Sequence, residues 1–266
     1  MRTIHWLLAS LFAASAVNAA AQKTTAQAIE EYRAMLADGN PAELFEAKGE
    51  VLWAQKRGPK NASLQACDLG KGPGVVKGAF VELPRYFADT GKVQDLESRL
   101  VTCMERLQGF DGAQIAKTDF GKGEMANVTA LATYVAGESK GLPFNLPQSH
   151  PQERAFYEAG KRLFFLRGGT HDFACATCHG EDGKRIRLQE LPNLTKNPGD
   201  GVGFAAWPAY RVSNGQMWSM QLRLNDCLRQ QRFPYPEFGS DALTAISTYL
   251  GVNAQGAKSA APTLKR

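Results

Sequence analysis

The sequence predicts a mainly α-helical protein built from two similar halves that follow one another along the chain. The first observation is a repeat in which Pro84, Tyr86, Arg99, Leu100 and Cys103 recur 124 positions later as Pro208, Tyr210, Arg223, Leu224 and Cys227. The second is that the apolar segment 128–135 returns as 243–250 with four identities. A recurrence that keeps its order indicates a duplicated structural unit.

Each half is expected to begin and to end with a helix. Pro41 and Pro151 suit a first helical turn, and each is followed by a glycine, Gly49 or Gly160, with an aromatic side chain four positions further on. The segments 128–135 and 243–250 read as the closing helices. The stretch between Gly137 and Pro151 contains further glycine and proline residues and is interpreted as a linker.

The second half contains a C-x-x-C-H motif at Cys175, Cys178 and His179, the attachment signature of a covalent c-type haem. The two thiols add to the haem vinyl groups, and the imidazole binds the iron from one side. A zinc site would need a second Cys/His pair at finger-like spacing, which the sequence lacks, and a thioredoxin-like dithiol would not explain His179. We therefore predict haem c in this half.

The first half lacks the motif. When the halves are aligned on their opening helices, Cys67 falls opposite Cys178, but Leu64 and Asp68 replace the other cysteine and the histidine. Cys67 and Cys103 are then the two cysteines of this half, and an oxidising compartment favours a disulfide between them over two free thiols. Only the second half is expected to bind haem.

The arrangement resembles the cytochrome c fold, in which the first and last helices cross where a glycine of one meets an aromatic of the other. Gly49 with Tyr134, and Gly160 with Tyr249, match that pairing. The resemblance implies two tandem cytochrome c-like domains, at 20–140 without haem and at 141–266 with haem.

The amino terminus predicts export to the bacterial periplasm. Residues 1–19 have an early arginine, a short apolar stretch and small residues up to Ala19, as in a cleaved signal peptide. The stretch is shorter than the roughly 20 residues of a membrane span, so we expect none. A formal net charge of +5 permits acidic partners but does not indicate nucleic acid, and no nucleic-acid partner is expected.

Cys227 is the cysteine left over after haem attachment and a disulfide are assigned. It lies between the attachment motif and the closing helix, where cytochromes of this fold carry the second axial ligand. Met217 and Met220 lie in the same region, and His/Met ligation is the common arrangement in electron carriers. Cys227 is the favoured ligand, and the two methionines are the alternative.

Arg223 precedes Cys227 by four residues, which places both on one face if the segment is helical. A guanidinium group matches an anion with several oxygens better than a lysine does, and a nearby cation favours the thiolate form of a cysteine. An ordinary surface arginine is the alternative interpretation.

These residues together resemble the SoxA family, the catalytic subunits of the SoxAX cytochromes of bacterial thiosulfate oxidation. The resemblance implies axial ligation by His179 and Cys227, and substrate binding by Arg223. It also implies L-cysteine S-thiosulfotransferase activity: thiosulfate is coupled to a cysteine of the carrier SoxYZ, and electrons pass through haem c to the small cytochrome SoxX. Dihaem members have a first C-x-x-C-H that this chain lacks, so the monohaem type is expected, with one haem c.

Three other functions stay open at this level. A simple electron-transfer cytochrome would use Met217 or Met220 as ligand. A thiosulfate dehydrogenase would form tetrathionate and need no protein acceptor. A structural subunit would keep its role without Cys227.

Overall fold

The computed structural model describes residues 39–186, 189–196 and 202–265, together with Thr24, Gln27, Glu31 and Ala34. The predicted signal peptide at 1–19 and its cleavage near Ala19 lie outside these residues. Residues from Gly39 onward form one compact unit. A boundary near residue 140 therefore stays a prediction.

The first half consists of helices with one small antiparallel sheet. Its elements are α1 (Ala42–Ala54), β1 (Arg85–Phe87), β2 (Lys92–Gln94), α2 (Leu96–Cys103), α3 (Gly112–Lys117) and α4 (Gly123–Gly137). A short 3₁₀ turn (Phe80–Glu82) precedes β1, and a π-helical turn (Met104–Gln108) extends α2.

The second half repeats this order with additions, but α3 has no counterpart in it. Its elements are α5 (Pro151–Phe165), α6 (Cys175–His179), β3 (Arg185–Ile186), β4 (Gln189–Glu190), α7 (Val202–Ala205), β5 (Ala209–Arg211), β6 (Gln216–Trp218), α8 (Met220–Gln230), α9 (Asp241–Asn253) and β7 (Thr263–Lys265). The mainly helical prediction holds, with small sheets in addition that the sequence does not predict.

The opening and closing helices of each half pack against each other as predicted. A Cβ added at Gly49 in α1 would lie 2.7 Å from the Cβ of Tyr134 in α4 and would overlap the carbonyl of Ala130. Gly160 in α5 has the same relationship to α9. Glycine is therefore needed at both positions because the helix backbones approach too closely for a side chain.

The repeat persists in the secondary structure with an offset of 124 residues. β1 and β2 correspond to β5 and β6, and each pair forms an antiparallel ladder of three residues. The next helix starts at Leu96 in the first half and at Met220 in the second. A polar side chain caps each start: Asp95 accepts from the Ser98 amide at 2.9 Å, and Ser219 from the Leu222 amide at 3.3 Å.

Cys67 and Cys103 form a disulfide, the pairing that the sequence predicts. Their Cα atoms are 5.6 Å apart, within the usual range for a disulfide. The bond joins the loop after α1 to the end of α2, and both cysteines are buried. Closing a loop of 36 residues stabilises the fold by about 3 to 4 kcal/mol in the chain-entropy model.

The segment predicted to be a linker is part of the core. Phe144 is 1% exposed and packs edge-on against Phe80 of the first half and Phe204 of the second. The turn-forming residues indicate a loop, but they do not reveal that its apolar side chains join both halves. His150, at the end of this segment, caps α5 and stacks on Tyr86 of the first half, with ring centres 3.7 Å apart.

The third sheet contains a pairing between distant segments. β7 adds to β5 in parallel, with Lys265 opposite Arg211, which gives the order β6-β5-β7. A three-residue strand carries too little periodicity to be recognised from sequence. None of the described helices is long and apolar enough to cross a membrane.

Candidate functional site

The C-x-x-C-H motif forms the short helix α6. The Ala174 amide donates to the Thr177 hydroxyl at 2.9 Å, which fixes the helix start within the motif itself. Cys175 and Cys178 are therefore about one helical turn apart. Both thiols are partly exposed and free in the described structure. Burial raises the pKa of Cys175 to about 12, and the charges of Cys227 and Cys178 add to this effect.

His179 is oriented by the backbone beyond the motif. Its Nδ1 lies 2.9 Å from the carbonyl oxygen of Pro192, so Nδ1 carries the proton and donates it. This contact leaves Nε2 as the nitrogen that can bind a metal. Burial lowers the pKa of His179, and the nearby charge of Arg223 lowers it further, although the Pro192 bond opposes both effects. The neutral imidazole is the ligating form.

Helix α8 carries the other two predicted site residues, Arg223 and Cys227. They are separated by about one turn and lie on the same side of the helix. Arg223 Nη1 is 3.2 Å from a carboxylate oxygen of Asp226, and its guanidinium lies 5.8 Å from the Trp207 ring centre. Its other guanidinium nitrogens have no hydrogen-bond partner among the described residues and are free to donate.

Electrostatic interactions connect α6 with α8. The charge of Cys227 acts on Cys175, that of Cys178 acts on Cys227, and that of Arg223 acts on His179. The structure therefore gathers the motif residues, the leftover thiol and the candidate anion-binding arginine into one region. Sequence separation alone does not require this, because 40 residues, 180–219, lie between the two helices.

The charge of Arg223 favours the thiolate form of Cys227, as the sequence predicts, but burial of this thiol opposes it. Burial raises the pKa of the Cys227 thiol, and the charges of Asp226 and Cys178 raise it further. Arg223 and Arg211 lower it but do not outweigh burial. A stable thiolate at this position needs a stronger positive partner, such as a ligated metal ion.

The alternative ligands take up positions in the core. Met217 lies in β6 opposite Tyr210 and is 2% exposed. Met220 begins α8 and packs against the cluster of Trp207 and Trp218. Their environments are those of ordinary apolar core residues.

Two functional candidates are missed by sequence reasoning, Arg211 and Asp226. Arg211 lies on β5, its guanidinium is 5.2 Å from the Trp218 ring centre, and its Nε is buried without a hydrogen-bond partner in the described part of the chain. Burial lowers its pKa, and Arg223 lowers it further. In the repeat, Arg211 stands at the position of Phe87 in the first half. This exchange of an apolar for a charged residue is the one sign in the sequence that could have indicated a functional role for Arg211.

Asp226 acts as the centre of a polar cluster on α8. Its carboxylate accepts from Arg223, from Arg229 at 2.7 Å and from Gln230 at 2.7 Å. These contacts hold the Arg223 guanidinium against the helix. The only sign of this pairing in the sequence is the spacing of three residues.

The residues present fit a covalently attached haem. Two free, partly exposed thiols one turn apart match the two thioether positions, and the adjacent imidazole has the nitrogen for iron available. Cys227 supplies a third free sulfur in the same region. The two thiols and the adjacent imidazole are the groups that attach haem c, and they define a c-type cytochrome.

Comparison with known proteins identifies the family. The model described as "SoxA/TsdA, cytochrome c domain" matches residues 48–144, in the first half. The chain is 55% identical to the L-cysteine S-thiosulfotransferase subunit SoxA of Hydrogenophilus thermoluteolus, over 97% of this chain and 93% of that protein. It is 35% identical to a SoxA subunit of Hydrogenobacter thermophilus, over 81% of this chain and 80% of that one.

The chain belongs to the SoxA family of L-cysteine S-thiosulfotransferase subunits. A crystal structure of SoxXA from P. pantotrophus has a similar fold, with a TM-score of 0.73 and 22% identity over 89% of this chain and 84% of that one. Membership of a cytochrome c family implies covalently bound haem c.

Proposed function

We propose that this chain couples thiosulfate oxidatively to a cysteine thiol of the carrier protein SoxYZ. The observation that carries the proposal is that Cys227 and Arg223 lie close enough to helix α6 for their charges to act on Cys175 and His179. An electron carrier needs neither a free thiol nor an anion-binding arginine at this place. A sulfur-transferring catalyst uses both.

Cys175 and Cys178 would hold one haem c as thioethers, and His179 and Cys227 would bind its iron. The orientation of His179 by Pro192 and the position of Cys227 on α8 support this ligation. When bound, haem c supplies a one-electron redox couple, and a thiolate ligand keeps its potential lower than a methionine does. The first half has the Cys67–Cys103 disulfide instead of an attachment motif.

The chemistry balances as a two-electron oxidation. A bond forms between the sulfane sulfur of thiosulfate and the carrier cysteine sulfur, the S–H bond of that cysteine breaks, and one proton and two electrons leave. Arg223 binds the sulfonate oxygens through its free donors, and this places the sulfane sulfur at Cys227. Arg211 adds a second positive charge on the same side.

The two electrons require an acceptor beyond one haem. We propose SoxX, a small monohaem cytochrome, as the second subunit of a heterodimer. We place the complex in the periplasm after removal of residues 1–19, with 20–140 as a cytochrome c-like domain without haem and 141–266 as the haem domain. Thiosulfate and SoxYZ are its substrates, and no nucleic acid takes part.

The test is an assay of the purified complex with SoxX, thiosulfate and reduced SoxYZ. We expect the carrier cysteine to gain the mass of a thiosulfate group while SoxX becomes reduced. Formation of tetrathionate with an unmodified carrier would replace the proposal by thiosulfate dehydrogenase activity. Reversible reduction of the haem without any sulfur product would indicate that the protein is a simple electron carrier.

The haem load is measured in the same preparation. Intact mass spectrometry of the mature chain is expected to show one haem. A mass increase of two haems would contradict the monohaem assignment.

A further inference from the structure

The starts of helices α2 and α8 meet inside the molecule through polar side chains. Asp95 and Glu97 stand at the start of α2 and are 4% and 5% exposed. Gln221, in the first turn of α8, is completely buried. In the repeat, Glu97 and Gln221 occupy equivalent positions, so the two halves touch through matching turns.

Gln221 is bound by both halves of the chain. Its backbone amide donates to Oε1 of Glu97 at 3.2 Å, and its side-chain amide donates to Oδ2 of Asp95 at 2.6 Å. Its side-chain oxygen accepts from the Gly239 amide at 2.7 Å, in the turn before α9.

Glu97 completes the cap of α8. The first amides of a helix lack partners within the helix. In α8, Ser219 satisfies the Leu222 amide through its side chain and the Arg223 amide through its carbonyl. The Gln221 amide takes its partner from Glu97, a residue 124 positions earlier in the chain. The start of α8 is thus attached to the first half.

The same helix presents Arg223 one turn after this cap and Cys227 one turn further on. An α-helix is rigid over this length. The cap therefore fixes the rotation of α8 about its axis and its position along that axis, and with them the positions of both side chains relative to α6. We infer that Glu97 is a positioning residue, which, together with Asp95, holds α8 so that Arg223 and Cys227 face the haem-attachment helix. This inference rests on the function proposed above.

The polarity of the contact supports a positioning role over simple packing. Burying two carboxyl groups is costly, and an apolar contact of the same volume is often at least as stable. Directional hydrogen bonds, in contrast, define the register of one element against another. Gln221 uses its backbone amide, its side-chain nitrogen and its side-chain oxygen in this way.

The experiment compares Glu97→Leu with Glu97→Gln in the intact complex with haem and SoxX. Leucine removes the acceptor for the Gln221 amide, whereas glutamine keeps a carbonyl oxygen at the same place. The first measurement is amide hydrogen exchange over residues 219–231. We expect exchange in Glu97→Leu to be about fivefold faster, and in Glu97→Gln to equal the wild type.

The second measurement is the electron paramagnetic resonance spectrum of the ferric haem. We expect Glu97→Leu to broaden or split the low-spin signal, because α8 carries the proposed ligand Cys227, and Glu97→Gln to restore a single species. Wild-type exchange and a wild-type spectrum in Glu97→Leu would overturn the inference. If Glu97→Gln also shows faster exchange and an altered spectrum, the inference is overturned as well, because glutamine keeps the acceptor oxygen and the loss of that acceptor is then not the cause.

Ile115→Ala is the matched control. Ile115 is a buried residue of α3, an element that packs on α2 and α4, and its truncation lowers stability without touching the α8 cap. Equal changes in this variant would assign the effect to general destabilisation. If Glu97→Leu does not fold, Gln221→Met removes the side-chain bonds to Asp95 and Gly239 and tests the Asp95 part of the inference by the same two measurements. Thiosulfate coupling by the wild type tests the proposed function separately, because exchange and spectrum do not depend on turnover.

Discussion

Gly160 and Tyr249 mark the point at which α5 and α9 cross: a Cβ at position 160 would lie 2.9 Å from the Cβ of Tyr249 and would overlap the Ala245 carbonyl. The Tyr249 ring then covers Phe164, with ring centres 5.0 Å apart. This crossing closes the half of the molecule that carries α6 and α8. Its integrity is therefore a condition for the site.

Gly160→Ala is expected to destabilise the protein because the extra carbon forces the two helix backbones apart. Overpacking of this kind costs about 1 to 3 kcal/mol. The free energy of unfolding from urea denaturation measures the effect. Lys161→Ala, at the exposed neighbouring position, is the control and should change stability by no more than about 0.5 kcal/mol. A Gly160→Ala variant as stable as this control would contradict the close approach.

Cys227→Met is expected to convert a thiolate-type low-spin signal into a His/Met-type signal and to raise the reduction potential of the haem. The change follows from exchanging an anionic sulfur ligand for a neutral one. Spectroelectrochemistry with electron paramagnetic resonance measures both properties. Met220→Leu serves as the control and should leave them unchanged, whereas a shift in this control would transfer the ligand role to Met220.

Arg223→Ala is expected to keep haem and fold but to lower the rate of thiosulfate coupling about 10- to 100-fold. A hydrogen bond to a charged group contributes about 1.5 to 3 kcal/mol, and each 1.36 kcal/mol is tenfold in rate. Arg229→Ala is a matched control, because Arg229 pairs with the same carboxylate of Asp226 but its side chain is 53% exposed. Lysine at position 223 should restore part of the rate.

The comparison of these variants distinguishes loss of substrate binding by Arg223 from loss of its ion pair with Asp226. If the loss came from disturbing Asp226, Arg229→Ala would reduce the rate as well. A wild-type rate in Arg223→Ala would show that the guanidinium does not bind the sulfonate group.

Glu97 predicts a pH dependence of stability. Burial, and then the charge of Asp95, raise its pKa from 4.5 to about 7, although the Gln221 amide and the Ser219 hydroxyl oppose this. Burial also raises the pKa of Asp95. Between pH 4.5 and about 7, the ordinary and the raised pKa of Glu97, the folded protein therefore binds more protons than the unfolded chain. The stability present at low pH is lost as the pH rises through the raised pKa.

Glu97→Gln should reduce this loss because glutamine does not titrate, although Asp95 still does. The free energy of unfolding, measured by urea denaturation from pH 5 to pH 8, is expected to fall more steeply in the wild type, by at most about 1.4 kcal/mol per pH unit. Glu158→Gln, at an exposed position of α5, should follow the wild type. Parallel curves for the wild type and Glu97→Gln would show that Glu97 does not titrate in this range.

Much of the fold can be predicted because several of its contacts require a particular residue type at a single position, which can be recognised in the sequence. A close helix crossing requires a glycine, and the resemblance to the cytochrome c fold pairs Gly49 with Tyr134 and Gly160 with Tyr249, as the structure has them. The Cys67–Cys103 disulfide follows from the loss of one attachment motif. These are positions at which few residue types satisfy the local chemistry.

The remainder depends on contacts between distant residues of unremarkable type. Nothing adjacent to Glu97 in sequence shows that it is buried against Gln221, and three residues of β7 do not reveal that they pair with β5. The same is true of Phe144, which joins the halves from within a segment rich in turn formers. Local pattern describes secondary structure, but such long-range partners are fixed only by the complete packing.

The duplicated architecture gives the molecule an internal reference for mutagenesis. Arg99 and Arg223 stand at the same helical position of two related units. Arg99 binds Asp89 at 2.9 Å and the backbone of Asp68, whereas Arg223 pairs with Asp226 at 3.2 Å and its charge acts on Cys227. Alanine at each position therefore measures, in one polypeptide, what this arginine contributes to folding and what it contributes to the proposed thiosulfate coupling.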